Sequence, residues 1–384
     1  MHVEDQTQAT GLLIHSELIV EESLCVNLRG RLIHCSSCED SCAIGAISLT
    51  PDSVDHDDML CTGCNSCLPS CPAGALRSTG FVPVRFLHAL TQSGQTDIHC
   101  RTSSDGGGGI VIPCHGVLDA RLLAAARAEG VTELRLHGLN QCESCRLGDA
   151  REHVKSVISL LGEWLGENAP RLDLKPLTGE SGCDGERNYQ DQPHMDRRAF
   201  LRFGGANGIT RAVDWLVPGL AQEEEDAESL PFYQADDYPQ RAAPYQRELV
   251  MRAGTMPWRA GQALPFKTRR LNAHCSACLS CGKRCPTGAL QASETEQARV
   301  LSFDPAACTD CGLCVAICPH DALIVEPQYE PVELQGRTTL LCRQQIPCRQ
   351  CHTPFLSATE EDDLCPVCSN EQELDEAWLD MLSG

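Results

Sequence analysis

The chain has 384 residues, enough for two or three domains, and its 31 basic and 53 acidic side chains leave a formal net charge of −22. That balance excludes nucleic acid and anionic membrane surfaces as main partners and favours a partner with a basic face. Aromatic residues make up only 4%, few for filling several large cores, whereas cysteine reaches 26.

The first residues are acidic and lack the basic and apolar regions of an export signal. No apolar run approaches the ~18–20 residues that cross a bilayer. The expected location is cytoplasmic, with no membrane span. In a reducing compartment, cysteines at this density read as metal ligands rather than disulfides.

The first group is Cys25, Cys35, Cys38, Cys42, Cys61, Cys64, Cys67 and Cys71. Cys61–Pro72 (CTGCNSCLPSCP) fits the pattern C-x2-C-x2-C-x3-C-P without a mismatch. Three thiolates on a tight loop reach three corners of an iron–sulfur cube, and the loop's N–H groups point at its sulfides. The fourth cysteine, followed by a helix-breaking proline, faces the other way and ligates the partner cluster. One cluster is therefore expected on Cys61, Cys64, Cys67 and Cys42. The other run is irregular, with Leu32 at the first ligand position and Ala43 in place of proline. Cys25 reaches back to that corner, giving Cys25, Cys35, Cys38 and Cys71. A three-iron cluster or a labile corner, with Cys25 merely buried, is the alternative.

Next, Gly108–Cys114 (GGIVIPC) predicts a strand, Asp119–Glu129 a helix capped by Asp119 and ended by Gly130, Val131–Leu136 a strand and Arg151–Leu165 a helix. That alternation implies a small parallel α/β unit. Cys114 would end its first strand, Cys142 and Cys145 would follow its second, and Cys100 would reach in from the preceding loop, all at the sheet edge where ligands usually sit. The IPC-helix-strand-CxxC order is similar to the delta subunit of methyl-viologen-reducing hydrogenases. The resemblance implies a [2Fe-2S] cluster on Cys100, Cys114, Cys142 and Cys145, with a structural zinc or free thiols as alternatives. Gly106–Gly109 reads as a flexible loop, because no phosphate-binding sequence accompanies it. No flavin or nicotinamide fingerprint is present.

Residues 167–195 and 218–268, rich in Pro, Gly and acidic residues and including Glu223–Asp226 (EEED), read as linkers or wrapping segments. Cys183 stands alone there and receives no role. Asp196–Gly205 (DRRAFLRFGG) resembles a twin-arginine export motif, but its internal position and the charged residues after it favour an Asp196-capped amphipathic helix. It also resembles the start of accessory ferredoxins of the periplasmic-nitrate-reductase type. That resemblance suggests two once-separate modules joined near residue 190.

The second group repeats the regular pattern twice, at Cys275–Pro286 (CSACLSCGKRCP) and Cys308–Pro319 (CTDCGLCVAICP). The pairing rule expects one cluster on Cys275, Cys278, Cys281 and Cys318 and another on Cys308, Cys311, Cys314 and Cys285. After each regular run, PAGAL, PTGAL or PHDAL predicts a helical turn and then a strand. By these residues both blocks resemble bacterial-type 2[4Fe-4S] ferredoxin domains. The resemblance implies compact, pseudo-two-fold α+β units that transfer single electrons. Such units are too small to fold on apolar burial alone, so the clusters serve as core.

In the tail, Cys348-x2-Cys351 and Cys365-x2-Cys368 suit tetrahedral thiolate coordination, as in a zinc ribbon. Zinc is the favoured ion, with rubredoxin-type iron or no metal as alternatives. Cys342 lies too far upstream and is a spare. No Lys or Arg follows Arg349, so the end reads as a solvated acidic tail or a docking handle.

The expected architecture is α+β. It comprises a dicluster ferredoxin-like domain at 20–80, a small parallel α/β domain at 95–166, a linker and wrapping segment with an amphipathic helix at 167–268, a second dicluster domain at 269–327 and zinc-ribbon-like knuckles at 340–384. The expected function is single-electron relay through four [4Fe-4S] clusters. The partner would be a basic-surfaced, molybdenum or hydrogenase-type oxidoreductase. A maturation factor with structural clusters, or an iron–sulfur enzyme with an open cluster corner, is the alternative.

Overall fold

A computed structural model describes residues 18–31, 35–94, 96–103, 109–176, 239–329, 336–357 and 362–383. The readings placed on Leu32, Gly106–Gly108, Cys183, the Asp196–Gly205 helix and Glu223–Asp226 fall outside the described residues.

The first unit runs β1 (Leu18–Val20), α1 (Val26–Gly30), α2 (Ser37–Asp40), β2 (Ile47–Leu49), β3 (Val54–His56), α3 (Cys67–Ser70) and β4 (Leu76–Ser78). β1 pairs antiparallel with β4, Leu18 opposite Ser78, and β2 with β3, Ile47 opposite His56. The helical turn expected after the Cys-Pro step lies before it. Proline disfavours helix in the residue it follows, so α3 ends at Ser70 with Cys71 already extended, and a tight turn through Gly74 at φ +64° carries the chain into β4.

After α4 (Pro83–Ser93) comes the middle unit: β5 (Asp97–Cys100), β6 (Ile110–Ile112), α5 (Ala120–Ala128), β7 (Glu133–His137), α6 (Arg151–Leu165) and β8 (Arg171–Lys175). The strands are ordered β6-β5-β7-β8, and every neighbouring pair is parallel. Asp119 caps α5, its carboxylate accepting from Arg121 N at 2.8 Å. The chain's largest core sits here, with Ile98, Ile110, Ile112, Leu134 and Leu136 of the sheet fully buried beneath Leu122, Leu123 and Leu161 of the helices.

Two stretches expected in a linker are ordered parts of this core. Residues 171–175 form the edge strand β8, whose RLDLK alternates over only five residues, too short a signal to stand out beside the linker-like stretch that follows. Residues 244–250 form α7 (Pro244–Val250), and Tyr245, Leu249, Met256, Leu264 and Phe266 are buried in the same cluster. Tyr245 and Leu249 lie one helical turn apart, but beyond α7 the segment is irregular, so no sustained period marks it. Where it passes the first unit, a Cβ on Gly74 would lie 2.7 Å from Pro244 Cδ, so only glycine admits the approach.

The second unit repeats the first with β9 (Lys267–Leu271), α8 (Ser280–Lys283), β10 (Leu290–Glu294), β11 (Ala298–Phe303), α9 (Leu313–Ala316) and β12 (Leu323–Pro327). Again the outer strands pair, Leu271 opposite Leu323, and the inner two form a hairpin, Leu290 opposite Phe303. The tail is continuous with this unit. β13 (Thr338–Pro347) pairs with β11, and β14 (Pro354–Leu356) pairs with β13, giving a four-stranded antiparallel sheet β10-β11-β13-β14. The acidic end, expected to be solvated, is the helix α10 (Pro366–Ser383), with Leu374 and Trp378 exposed.

Candidate metal centres

The three regular loops share one backbone device. Gly63 and Asn65, Ala277 and Leu279, and Asp310 and Gly312 all adopt positive φ, between 55° and 77°. In each loop these are the residues just before and just after the second cysteine. Alternating right- and left-handed residues turn successive N–H groups into one concavity, which suits an anion. Side chains other than glycine hold such angles only where the surroundings dictate them. The irregular loop lacks the device: Ser36, after Cys35, has φ −104°.

In the second unit the cysteines gather around two cavities. Cys275, Cys278, Cys281 and Cys318 line one, walled by Leu271, Leu279, Leu301, Leu323 and Leu341. Cys285, Cys308, Cys311 and Cys314 line another, with Arg269, Leu290 and Phe303. Each set thus takes three cysteines from one loop and the fourth from the other. Burial, then the neighbouring Cys314, Cys278 and Cys275 thiols, push the Cys281 thiol up to about 12. Cys311 is likewise raised to about 12, by burial and then by Cys285 after relief from Leu313 N–H.

The first unit groups its eight cysteines in the same crossed manner. Burial, followed by Cys71, Cys25 and Cys35, raises the Cys38 thiol to about 12, which puts Cys25 beside the irregular run. Burial, followed by Cys64, Cys61 and Cys42, raises Cys67 further. The fourth cysteine of each run accepts a main-chain N–H from the turn that follows: Ala46 to Cys42 at 3.2 Å, Ala75 to Cys71 at 3.3 Å, Leu290 to Cys285 at 3.4 Å and Ala322 to Cys318 at 3.3 Å. Such bonds favour the thiolate over the thiol.

A cluster also answers several donors that are otherwise stranded. Thr62 Oγ1, Asn65 Nδ2, Thr309 Oγ1 and Arg269 Nε are buried with no partner among the described residues. They sit on the cysteine loops or line their cavities, where inorganic sulfides would accept from them. Sequence reasoning passed over these residues, although the threonine after the first cysteine (CTGC, CTDC) was visible in two runs.

In the middle unit Cys100 ends β5, Cys114 follows β6, and Cys142 and Cys145 follow β7, all at the carboxyl edge of three adjacent strands. Burial, then Cys100, Cys145 and Asp149, raise the Cys142 thiol to about 11 after relief from Ala150 N–H. Gly116 N donates to Cys114 Sγ at 3.4 Å and Leu147 N to Cys145 Sγ at 3.5 Å. The Ser103 hydroxyl lies 3.0 Å from Cys100 Sγ.

The tail brings together Cys348, Cys351, Cys365 and Cys368, whose sulfurs all lie within 4.8 Å of one another. Zinc–sulfur bonds of about 2.3 Å place tetrahedral ligands roughly 3.8 Å apart, so this set suits a single ion. The N–H of Cys351, ahead of that of Cys365, pulls the Cys348 thiol down to about 6. Cys342 is exposed on β13, away from the set.

The sets also stand next to one another. Cys314 is the first cysteine felt by Cys281. Val26, Ala73 and Leu313 pack into one small cluster with Cys35, Cys71 and Cys311, joining the two dicluster units. Cys67 feels Cys38 within the first unit, and Cys114 of the middle unit feels Cys64.

Residues 33–75 and 274–322 each match the 4Fe-4S dicluster domain family. Among known proteins, the chain is 43% identical over 49 residues to a subunit of the ion-translocating oxidoreductase complex of Methanosarcina acetivorans, covering 13% of this chain and 17% of that one. It is 30% identical over 82 residues to a hydrogenase-4 component of Escherichia coli, covering 21% of this chain and 40% of the relative. The chain spans less than half the length of either relative it matches. It carries two 4Fe-4S dicluster domains. No helix among the described residues is long and apolar enough to cross a membrane.

Proposed function

We propose that this chain is a cytoplasmic multi-centre electron relay that passes single electrons to or from a larger oxidoreductase. The observation that carries the reading is the contact order of the cysteine sets. From Cys275 and its partners the order runs through the Cys285 set, the Cys25 set and the Cys42 set to Cys100, Cys114, Cys142 and Cys145. A row of adjoining redox sites suits conduction, whereas clusters with a purely structural role have no need to adjoin.

In this reading the four crossed sets hold [4Fe-4S] clusters, the middle set holds a [2Fe-2S] cluster, and Cys348, Cys351, Cys365 and Cys368 hold a structural zinc. When bound, the clusters supply reversible one-electron chemistry. The chain's own residues set the terms. The positive-φ loops aim N–H groups at the sulfides, Leu271, Leu301 and Leu323 keep water from the outer cavity, and the packing of Val26, Ala73 and Leu313 holds the two dicluster units together. The strongly acidic composition favours a partner with a basic surface, such as a molybdenum or hydrogenase-type oxidoreductase.

Iron and sulfide analysis joined to an anaerobic redox titration tests the proposal. Four cubane clusters predict about 16 irons per chain before any further site. Those centres should be reducible by dithionite without turnover of small substrates. Clusters that never change oxidation state would favour a maturation role. Substrate-dependent shifts in one paramagnetic signal would instead favour an open corner in the Cys25, Cys35, Cys38 and Cys71 set.

A further inference from the structure

The two cavities of the second unit differ in their basic lining, a buried arginine in one and an exposed histidine in the other. The inner cavity, lined by Cys285, Cys308, Cys311 and Cys314, is also lined by Arg269. This side chain is only 1% exposed. Its Nη2 donates to Asp310 Oδ1 at 2.5 Å and its Nη1 to the Thr268 carbonyl at 3.2 Å, while Nε has no partner among the described residues. Asp310 is 44% exposed, so water screens the carboxylate while the guanidinium stays inside. The outer cavity, lined by Cys275, Cys278, Cys281 and Cys318, has no arginine or lysine in its wall among the described residues, and the basic side chain there, His320, is exposed to water. Arg299 reaches its loop by donating to the Ala277 carbonyl at 3.4 Å, but it is 35% exposed and paired with Glu294 at 2.6 Å.

Reduction adds one negative charge to a cluster, so a buried cation beside it stabilises the reduced form more than the oxidised one. We propose that Arg269 splits the potentials of the second unit's two centres, placing the inner one higher. The inner centre is then where an electron entering the unit comes to rest, on the side packed against the first unit through Leu313 and Cys311. The outer centre, with Cys278 exposed, is where the electron enters. This rests on the electron-relay reading above. The step makes and breaks no bond: one electron leaves the outer centre and one arrives at the inner.

The experiment is an anaerobic potentiometric titration of the full chain with dithionite as reductant, followed by electron paramagnetic resonance, on the wild type, Arg269→Met and Asp310→Asn. Arg269→Met should move one centre to a more negative potential and lower its reduced-to-oxidised ratio at a fixed potential by roughly tenfold or more. Asp310→Asn should move the same centre the opposite way, because it removes the counter-charge. Asparagine tolerates the left-handed φ of 55° at that position, so the loop should be kept. Should Arg269→Met fail to retain iron, Asp310→Asn alone decides. Unchanged potentials in an iron-replete variant, or shifts of the same sign in both, would overturn the proposal. Iron and sulfide analysis of the same samples separates this from failure of the relay reading, in which no reducible centres would be present at all.

Discussion

Arg29 and Arg284 clasp each other across the two dicluster units. Arg29 Nη1 donates to the Arg284 carbonyl at 3.1 Å, and Arg284 Nη1 donates to the Arg29 carbonyl at 2.8 Å. Arg29, only 1% exposed, also donates to the carbonyls of Ser23 and Pro239. Arg29→Ala would remove three hydrogen bonds from a charged donor to main-chain carbonyls at once. Each costs about 1–3 kcal/mol, so a loss of at least about 2 kcal/mol is expected in denaturant titrations. Limited proteolysis should show the two halves separating while each keeps its iron. Arg284→Ala, which removes one bond to the seam, should lose less.

The crossed wiring predicts a pattern of iron loss. Cys318→Ser and Cys278→Ser line one cavity and should each release about four irons, and so should the double variant. Cys318→Ser combined with Cys311→Ser touches both cavities and should release about eight. Iron counts that follow the loops instead of the cavities would refute the assignment. Cys342→Ser should leave the count unchanged, because that thiol is exposed on β13.

A Cβ on Gly116 would sit 2.0 Å from Ser66 Oγ and 2.9 Å from Ser66 Cβ. Here the loop after Cys114 presses on the loop before Cys67, where the middle and first units meet. Gly116→Ala should destabilise the chain by about 1–3 kcal/mol through overpacking. Ser66→Gly should recover most of that loss. A thermal-denaturation cycle of the two variants should therefore give a favourable coupling energy, and additive effects would show that the loops do not meet.

Stripping the ion proposed for Cys348, Cys351, Cys365 and Cys368 with a chelator should lower helicity. Cys365 and Cys368 lie at the start of α10 and tie it to Cys348 and Cys351 on the hairpin side. An 18-residue helix left without tertiary support is marginal in water. Circular dichroism should fall as one metal per chain is released, and Cys351→Ser should reproduce the change.

The two dicluster units were legible in the sequence because ligand spacing is a local code. Four cysteines and a following proline specify a loop whatever surrounds them, and both matching regions lie where the spacing placed them. Helix α6 was legible for a related reason, since its apolar stripe repeats every turn. What was hidden is what depends on distant surfaces. Strand β8 alternates over only five residues, and the buried side chains of 244–266 combine two turns of helix with irregular chain, so neither sustains a period long enough to read. Arg29 and Arg269 look like any surface arginine until the fold closes over them. The tail read as a solvated acidic end or a docking handle, and its described residues are indeed mostly exposed, but the helix they form was not foreseen from a count of acids.

Strand β13 belongs at once to the tail and to the second unit, and its Leu341 forms part of the wall of the outer cavity. The last fifty or so residues therefore double as a stopper. A chain cut before Thr338 would leave Cys275, Cys278, Cys281 and Cys318 open to dissolved oxygen, and its outermost centre should bleach in air well before the rest.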